Sequence, residues 1–153
     1  MKRLIGMIVV GAVVLILMVV ATGCSERQEH RDALNRAISL MDNRPDSALS
    51  VLYSLGKHKA DFGHHFSMQY CLHRLNAYNK LDTVFRTTDE ANQLVTYFED
   101  HGTSNEQMLA YYLLGRAYYD LHEAPQALRY YQIAIERADT ADDDCNYRLL
   151  STS

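Results

Sequence analysis

The chain of 153 residues is long enough for one domain, and its 48% hydrophobic content is raised by a single apolar run near its start. All 19 acidic residues follow Cys24 while Lys2 and Arg3 precede it, so the portion from Cys24 onward sets 13 basic against 19 acidic side chains, a net charge of −6 with histidine neutral. That balance argues against nucleic acid as a partner, because phosphate backbones need a basic face.

Lys2 and Arg3 are followed by 18 unbroken apolar residues, Leu4 to Ala21, and then by Thr22-Gly23-Cys24-Ser25. A charged start, an apolar run and small residues before a cut site describe a secretory signal over 1–23. The run is longer than the roughly 7–15 residues of a cleaved signal, so an uncleaved membrane anchor over Leu4 to Ala21 is the competing reading. Ala21-Thr22-Gly23-Cys24 resembles a bacterial lipobox, in which the cysteine thiol receives a diacylglyceryl group and becomes the first mature residue. Ala21 stands where the usual Leu would be. The resemblance implies lipid attachment at Cys24 and a place in the bacterial cell envelope, facing the periplasm or the cell surface; both readings put the domain outside the cytoplasm, since the positive charges stay inside.

Residues 24–31 are polar and read as a tether. Leu34, Ala37, Ile38 and Met41 then keep a helical spacing, and Asn43-Arg44-Pro45-Asp46 ends that helix. The next helix carries Ala48, Leu52 and Leu55 at i, i+4 and i+7. Met68, Cys71, Leu72, Leu75 and Tyr78 form a further apolar stripe, followed by Ala91, Val95 and Phe98 in the same i, i+4, i+7 placement. Thr87 with Glu90 predicts a capping box for the helix holding Ala91, His101-Gly102 its stop, and Ser104 with Gln107 a cap for the helix after it.

Chemistry has few candidates. His64, His65, Cys71 and His73 include zinc-ligand types, but ligands sharing one ion on a helix sit at i, i+3 or i+4, and these pairs are two turns apart. Solvated histidines at a helix start are expected instead. Gly56-Lys57 lacks the upstream glycine of a P-loop, and no Gly-x-Ser-x-Gly, paired-carboxylate or Cys-x2-Cys pattern occurs. No catalytic residue, metal or cofactor is therefore expected. Outside the cytoplasm Cys71 and Cys145 could pair, but Cys71 lies in an apolar stripe, where a buried free thiol is the commoner arrangement.

The strongest pattern is Met108 to Asp139. Tyr111, Leu114, Gly115 and Tyr118 fall at i, i+3, i+4 and i+7, with a glycine where a neighbouring backbone can approach closely. After His122-Glu123-Ala124, Pro125 restarts a helix whose Ala127, Tyr131 and Ala134 repeat the i, i+4, i+7 placement. The leading alanines Ala48, Ala91 and Ala127 are 43 and 36 residues apart, which predicts three successive helical hairpins.

The segment Met108 to Asp139 resembles a tetratricopeptide repeat, whose pattern runs Trp-x2-Leu-Gly-x2-Tyr, then Ala, an aromatic, Ala and Pro over about 34 residues. Tyr111 replaces the Trp; Leu114, Gly115, Tyr118, Ala127 and Ala134 match; Tyr131 supplies the aromatic, and Asp139 stands at the proline. The layout as a whole, with LNRAISLMDNRPDSALSVL after the lipobox, looks like tetratricopeptide-repeat lipoproteins of the Bacteroidota. The resemblance implies an all-α, right-handed α-solenoid of about three hairpins over 32–139, and a scaffold that binds a protein or peptide without chemistry of its own. A second reading it permits is the sensory portion of a membrane-bound signalling or transcription regulator whose relatives continue past Ser153.

In residues 140–153, Asp142-Asp143-Asp144 reads as a helix start, and Tyr147, Leu149 and Leu150 begin an apolar pattern that Ser151-Thr152-Ser153 abandons, so this stretch is either the start of a truncated further helix or a disordered tail. In stacked hairpins of this kind the first helices line the concave side. On the helix after Gln107 the stripe next to the buried face is Leu109, Tyr112, Arg116 and Tyr119, which makes these four the candidate ligand-binding residues. Two tyrosines flanking an arginine suit peptide capture, through rigid ring area and a guanidinium able to pair a carboxylate bidentately.

Overall fold

A computed structural model describes residues 26–138, and all regular structure among them is helical. Helix α1 covers residues 26–40. It is followed by α2 (Pro45–Gly56), a 3-10 turn (Lys59–Asp61), α3 (His64–Lys80), α4 (Asp89–His101), α5 (Ser104–Asp120) and α6 (Ala124–Arg137). The signal, lipid and anchor readings of residues 1–25, together with Cys145 and the acidic and apolar pattern of 142–150, lie outside the described residues.

The alternation of apolar positions decides the packing. All three leading alanines are buried, and so are Leu52, Leu55, Phe98 and Ala134 from the same faces. The largest fully buried side chains are Phe98, Leu52, Leu72, Leu94, Leu113 and Leu114, each contributing about 1.5–3 kcal/mol by leaving water. Leu34 and Ala37 of α1, with Met41 just beyond it, join α2 and α3 around Leu52 and Tyr70. A second cluster joins α3, α4 and α5 around Leu75, Phe98 and Leu114, and a third joins α5 and α6 through Met108, Tyr111 and Ala134. From α2 onward each helix packs on the next in the chain, and α3 also packs on α5. Neighbouring clusters thus share α3 or α5.

Helix ends follow local chemistry, with some departures from the sequence reading. Residues 26–31, read as a tether, already belong to α1; Glu26, Arg27, Gln28 and Glu29 are good helix formers, and the Gln28 amide donates to Asp32 one turn on at 3.0 Å. Pro45 starts α2 and Pro125 lies in the first turn of α6, where a missing N–H costs nothing. The cap of α5 is one residue earlier than predicted. Thr103 accepts from the Glu106 N–H at 3.3 Å while the Glu106 carboxylate accepts from the Thr103 N–H at 2.9 Å. Gln107 instead donates to the carbonyls of Glu99 and Gly102. The predicted box at the start of α4 does not form either: Thr88 is the N-cap without a side-chain hydrogen bond, and the Glu90 carboxylate is held by Arg74 of α3.

Helices α3 and α5 end in the same way. Asp82 (φ 52°) and His122 (φ 63°) adopt the left-handed conformation. The next N–H, of Thr83 or Glu123, reaches back to the carbonyl of Tyr78 or Tyr118 at 3.0 and 2.9 Å. The Asp82 and His122 N–H groups donate to Asn79 and Tyr119 at 3.1 and 3.0 Å. This pair of bonds is a Schellman motif, and its recurrence 40 residues apart marks α3 and α5 as corresponding elements.

Candidate functional site

Helix α5 meets α6 closely at Gly115. A Cβ there would lie 2.7 Å from the Tyr131 ring and 3.2 Å from the Ala127 carbonyl oxygen, so glycine is what admits α6. Tyr111 and Tyr118, a turn to either side, place their rings 6.2 and 5.3 Å from that of Tyr130. The Tyr111 hydroxyl donates to the Glu99 carboxylate, and burial together with this bond pushes its pKa up to about 12.

The predicted stripe on α5 divides. Leu109 is half-buried against the α3–α4–α5 core, and Tyr112 is half-buried with its ring 5.5 Å from Tyr131. Tyr119 is 62% exposed. Burial, the neighbouring Tyr112, and further contributions from Asp120 and Tyr119 push the Tyr131 hydroxyl up to about 12, with Arg116 opposing them. Tyr131 of α6 thus packs on Tyr112 of the stripe, while Tyr119 stands exposed near the end of the same helix.

Arg116 does more than lie beside the rings. Its Nε donates to Asp120 at 3.1 Å, and its Nη1 donates to Asn79 of α3 at 3.4 Å and lies 3.8 Å from Asp82. Asp120, whose side chain is only 7% exposed, also accepts the Phe85 N–H at 2.9 Å. The arginine and its carboxylate partner thus fasten the end of α3 and the loop after it to the end of α5. Sequence reasoning missed this, because the i,i+4 pair Arg116 and Asp120 reads equally well as a solvated helix pair.

Other polar pairs tie the first helices together. Lys80 of α3 reaches Asp42, just after α1, at 3.3 Å. Gln69 of α3 donates to Glu106 of α5 at 2.8 Å. Burial would raise the Glu106 pKa, but the bonds from Gln69 and Thr103 outweigh it and hold the carboxyl below its ordinary range.

Between α1 and α3 lies a cavity of about 810 Å³, lined by Arg27, Arg31, Leu34 and Ile38 from one side and by Phe66, Gln69 and His73 from the other. His73 differs from the solvated histidine expected: burial pushes its pKa down to about 4 against the pull of Glu106, so it is a neutral imidazole at pH 7. His64 and His65 are exposed, as expected, and pack on Tyr97, whose hydroxyl lies 2.9 Å from His65 Nδ1. Reading 24–31 as a tether concealed this groove. The signal was present in Arg27, Arg31, Leu34 and Ile38, which share one face at i, i+4, i+7 and i+11.

Cys71 is a half-buried free thiol, its pKa raised chiefly by burial. Among the described residues no three His, Cys, Asp or Glu side chains are placed to share a metal ion, and no helix is long and apolar enough to cross a membrane. Comparison with known proteins finds no matching protein-family model, no matching curated protein and no matching solved structure.

Proposed function

We propose that the chain is a membrane-anchored extracytoplasmic scaffold that binds a protein or peptide partner on the face formed by α1, α3 and α5. The hairpins are taken as a right-handed α-solenoid similar to tetratricopeptide arrays. The anchor is lipid on Cys24, for which the support is the sequence Lys2-Arg3, the apolar run and Ala21-Thr22-Gly23-Cys24.

The observation that carries the binding role is that polar ties hold the first helices beside one another while an open groove remains between α1 and α3. Such a concave surface with mixed apolar and charged walls suits recognition of an extended segment. The shared Schellman endings and buried leading alanines support a repeated unit, as stacked hairpins require.

The test is affinity purification from envelope extract with the full chain. A partner held by the wild type and lost by Tyr112→Ala/Arg116→Ala/Tyr119→Ala supports the α5 stripe. Because Arg116 braces the fold, Tyr119→Ala alone is the deciding variant: the same partner must bind less tightly at unchanged melting temperature. If the triple variant folds normally and keeps every partner, the stripe is not the binding surface. Metabolic labelling with a radioactive fatty acid tests the anchor, and a Cys24→Ala variant that still takes up label ends that part of the proposal.

A further inference from the structure

Helix α1 distributes its charges unevenly. The cleft it makes with α2 is mixed, with Arg36 beside Glu29 and Asp32, whereas Arg27 and Arg31, one turn apart, line the groove it makes with α3 with no carboxylate from α1. Neither arginine has an ion pair among the described residues, and Asp61 is the one carboxylate in the groove's lining. A strip of positive charge on a chain of net charge −4 has no internal purpose on these contacts. Below the arginines the wall is apolar, formed by Leu34, Ile38 and Phe66, and the cavity of about 810 Å³ is large enough for several residues of a peptide.

We propose that the groove between α1 and α3 binds an acidic peptide segment, its carboxylates paired with Arg27 and Arg31 and an apolar side chain seated against Leu34, Ile38 and Phe66. This rests on the binding role proposed above and names its ligand chemistry. Guanidinium and carboxylate make parallel hydrogen bonds in a fixed fork, which sets both register and preference for acid over base. The apolar wall and the acidic remainder of the protein favour a peptide over a nucleic acid, whose continuous phosphates the rest of the surface would repel.

The probe is a fluorescein-labelled hexapeptide of alternating aspartate and leucine, titrated into the full lipidated chain in detergent and followed by anisotropy. Its lysine–leucine counterpart and a hexathymidylate are the competitors. The acidic peptide is expected to bind best, and to weaken by about tenfold in Arg27→Gln/Arg31→Gln and again as salt rises from about 50 to about 300 mM. Arg36→Gln, in the other cleft, leaves binding unchanged. Charge reversal, Arg27→Glu/Arg31→Glu, transfers the preference to the lysine–leucine peptide. Equal binding of either competitor, undiminished binding by the glutamine variant, or no binding of the acidic peptide overturns the proposal. If the hexapeptide fails while an envelope partner still binds the wild type, this groove assignment falls and the scaffold reading stands.

Discussion

Gly115→Ala tests the helix contact around which the third hairpin is built. In an exposed helix this change stabilises by about 1 kcal/mol through helix propensity. Here the added methyl would sit 2.7 and 2.8 Å from two carbons of the Tyr131 ring and 3.2 Å from a backbone oxygen of Ala127. The ring cannot retreat freely, because it also packs on Tyr112. Overpacking of this kind costs about 1–3 kcal/mol, and displacing a half-buried tyrosine puts this site toward the upper end. The net expectation is a loss of about 1–2 kcal/mol, or a melting temperature lower by about 5–10 °C for a domain of this size. Urea and thermal denaturation followed by circular dichroism measure it. In the double variant Gly115→Ala/Tyr131→Leu the alanine should cost less than half as much, since the nearest obstacle is gone. A Gly115→Ala protein as stable as the wild type or more so would refute the close-approach argument.

Three further outcomes are expected. His73 stays neutral in the fold down to about pH 4 but gains a proton near 6.5 once unfolded, so the unfolded chain binds more protons between those values and stability falls as pH drops through that window. Linkage gives a loss of about 2 kcal/mol from pH 7.5 to 5, reduced toward about 1 by solvent screening. His73→Gln should flatten urea midpoints over that range, and an unchanged slope would contradict the assignment; Glu106, with its lowered pKa, loses its contribution only below its ordinary value near 4.5. Thr103→Ala should cost about 1 kcal/mol by removing the cap of α5, whereas Ser104→Ala should change stability by less than about 0.5 kcal/mol. His122→Gly relieves a left-handed backbone at φ 63° and should raise stability by up to about 1 kcal/mol, net of the glycine's greater unfolded-state freedom, as read from the urea midpoint.

The parts of this fold legible in the sequence are those fixed by apolar period and by proline. Tyr111, Leu114 and Gly115 share one buried face, as their spacing implies, and the three leading alanines are buried in the positions that the i, i+4, i+7 pattern assigns them. Caps were misplaced by one residue where adjacent hydroxyls compete: Thr103 and Ser104 are both able to cap, and the choice goes to the one whose third neighbour is Glu106. Glu90 looked like a capping partner until α3 brought Arg74 to it, which local pattern does not encode. The candidate site is split in the same sense. Tyr119 is exposed as its position on the helix implied, but the fastening of Arg116 to Asn79 and the partial burial of His73 both depend on where α3 lies, a relation between segments about 40 residues apart.

The most direct test of the proposed function is amide hydrogen exchange of the full chain with and without a partner purified from envelope extract. A scaffold that binds on its first helices gains protection along α1, α3 and α5, strongest on the turns carrying Arg27 and Arg31 and on the turn carrying Tyr119, while α2, α4 and α6 exchange as before. Protection confined to α2, α4 and α6 would contradict it.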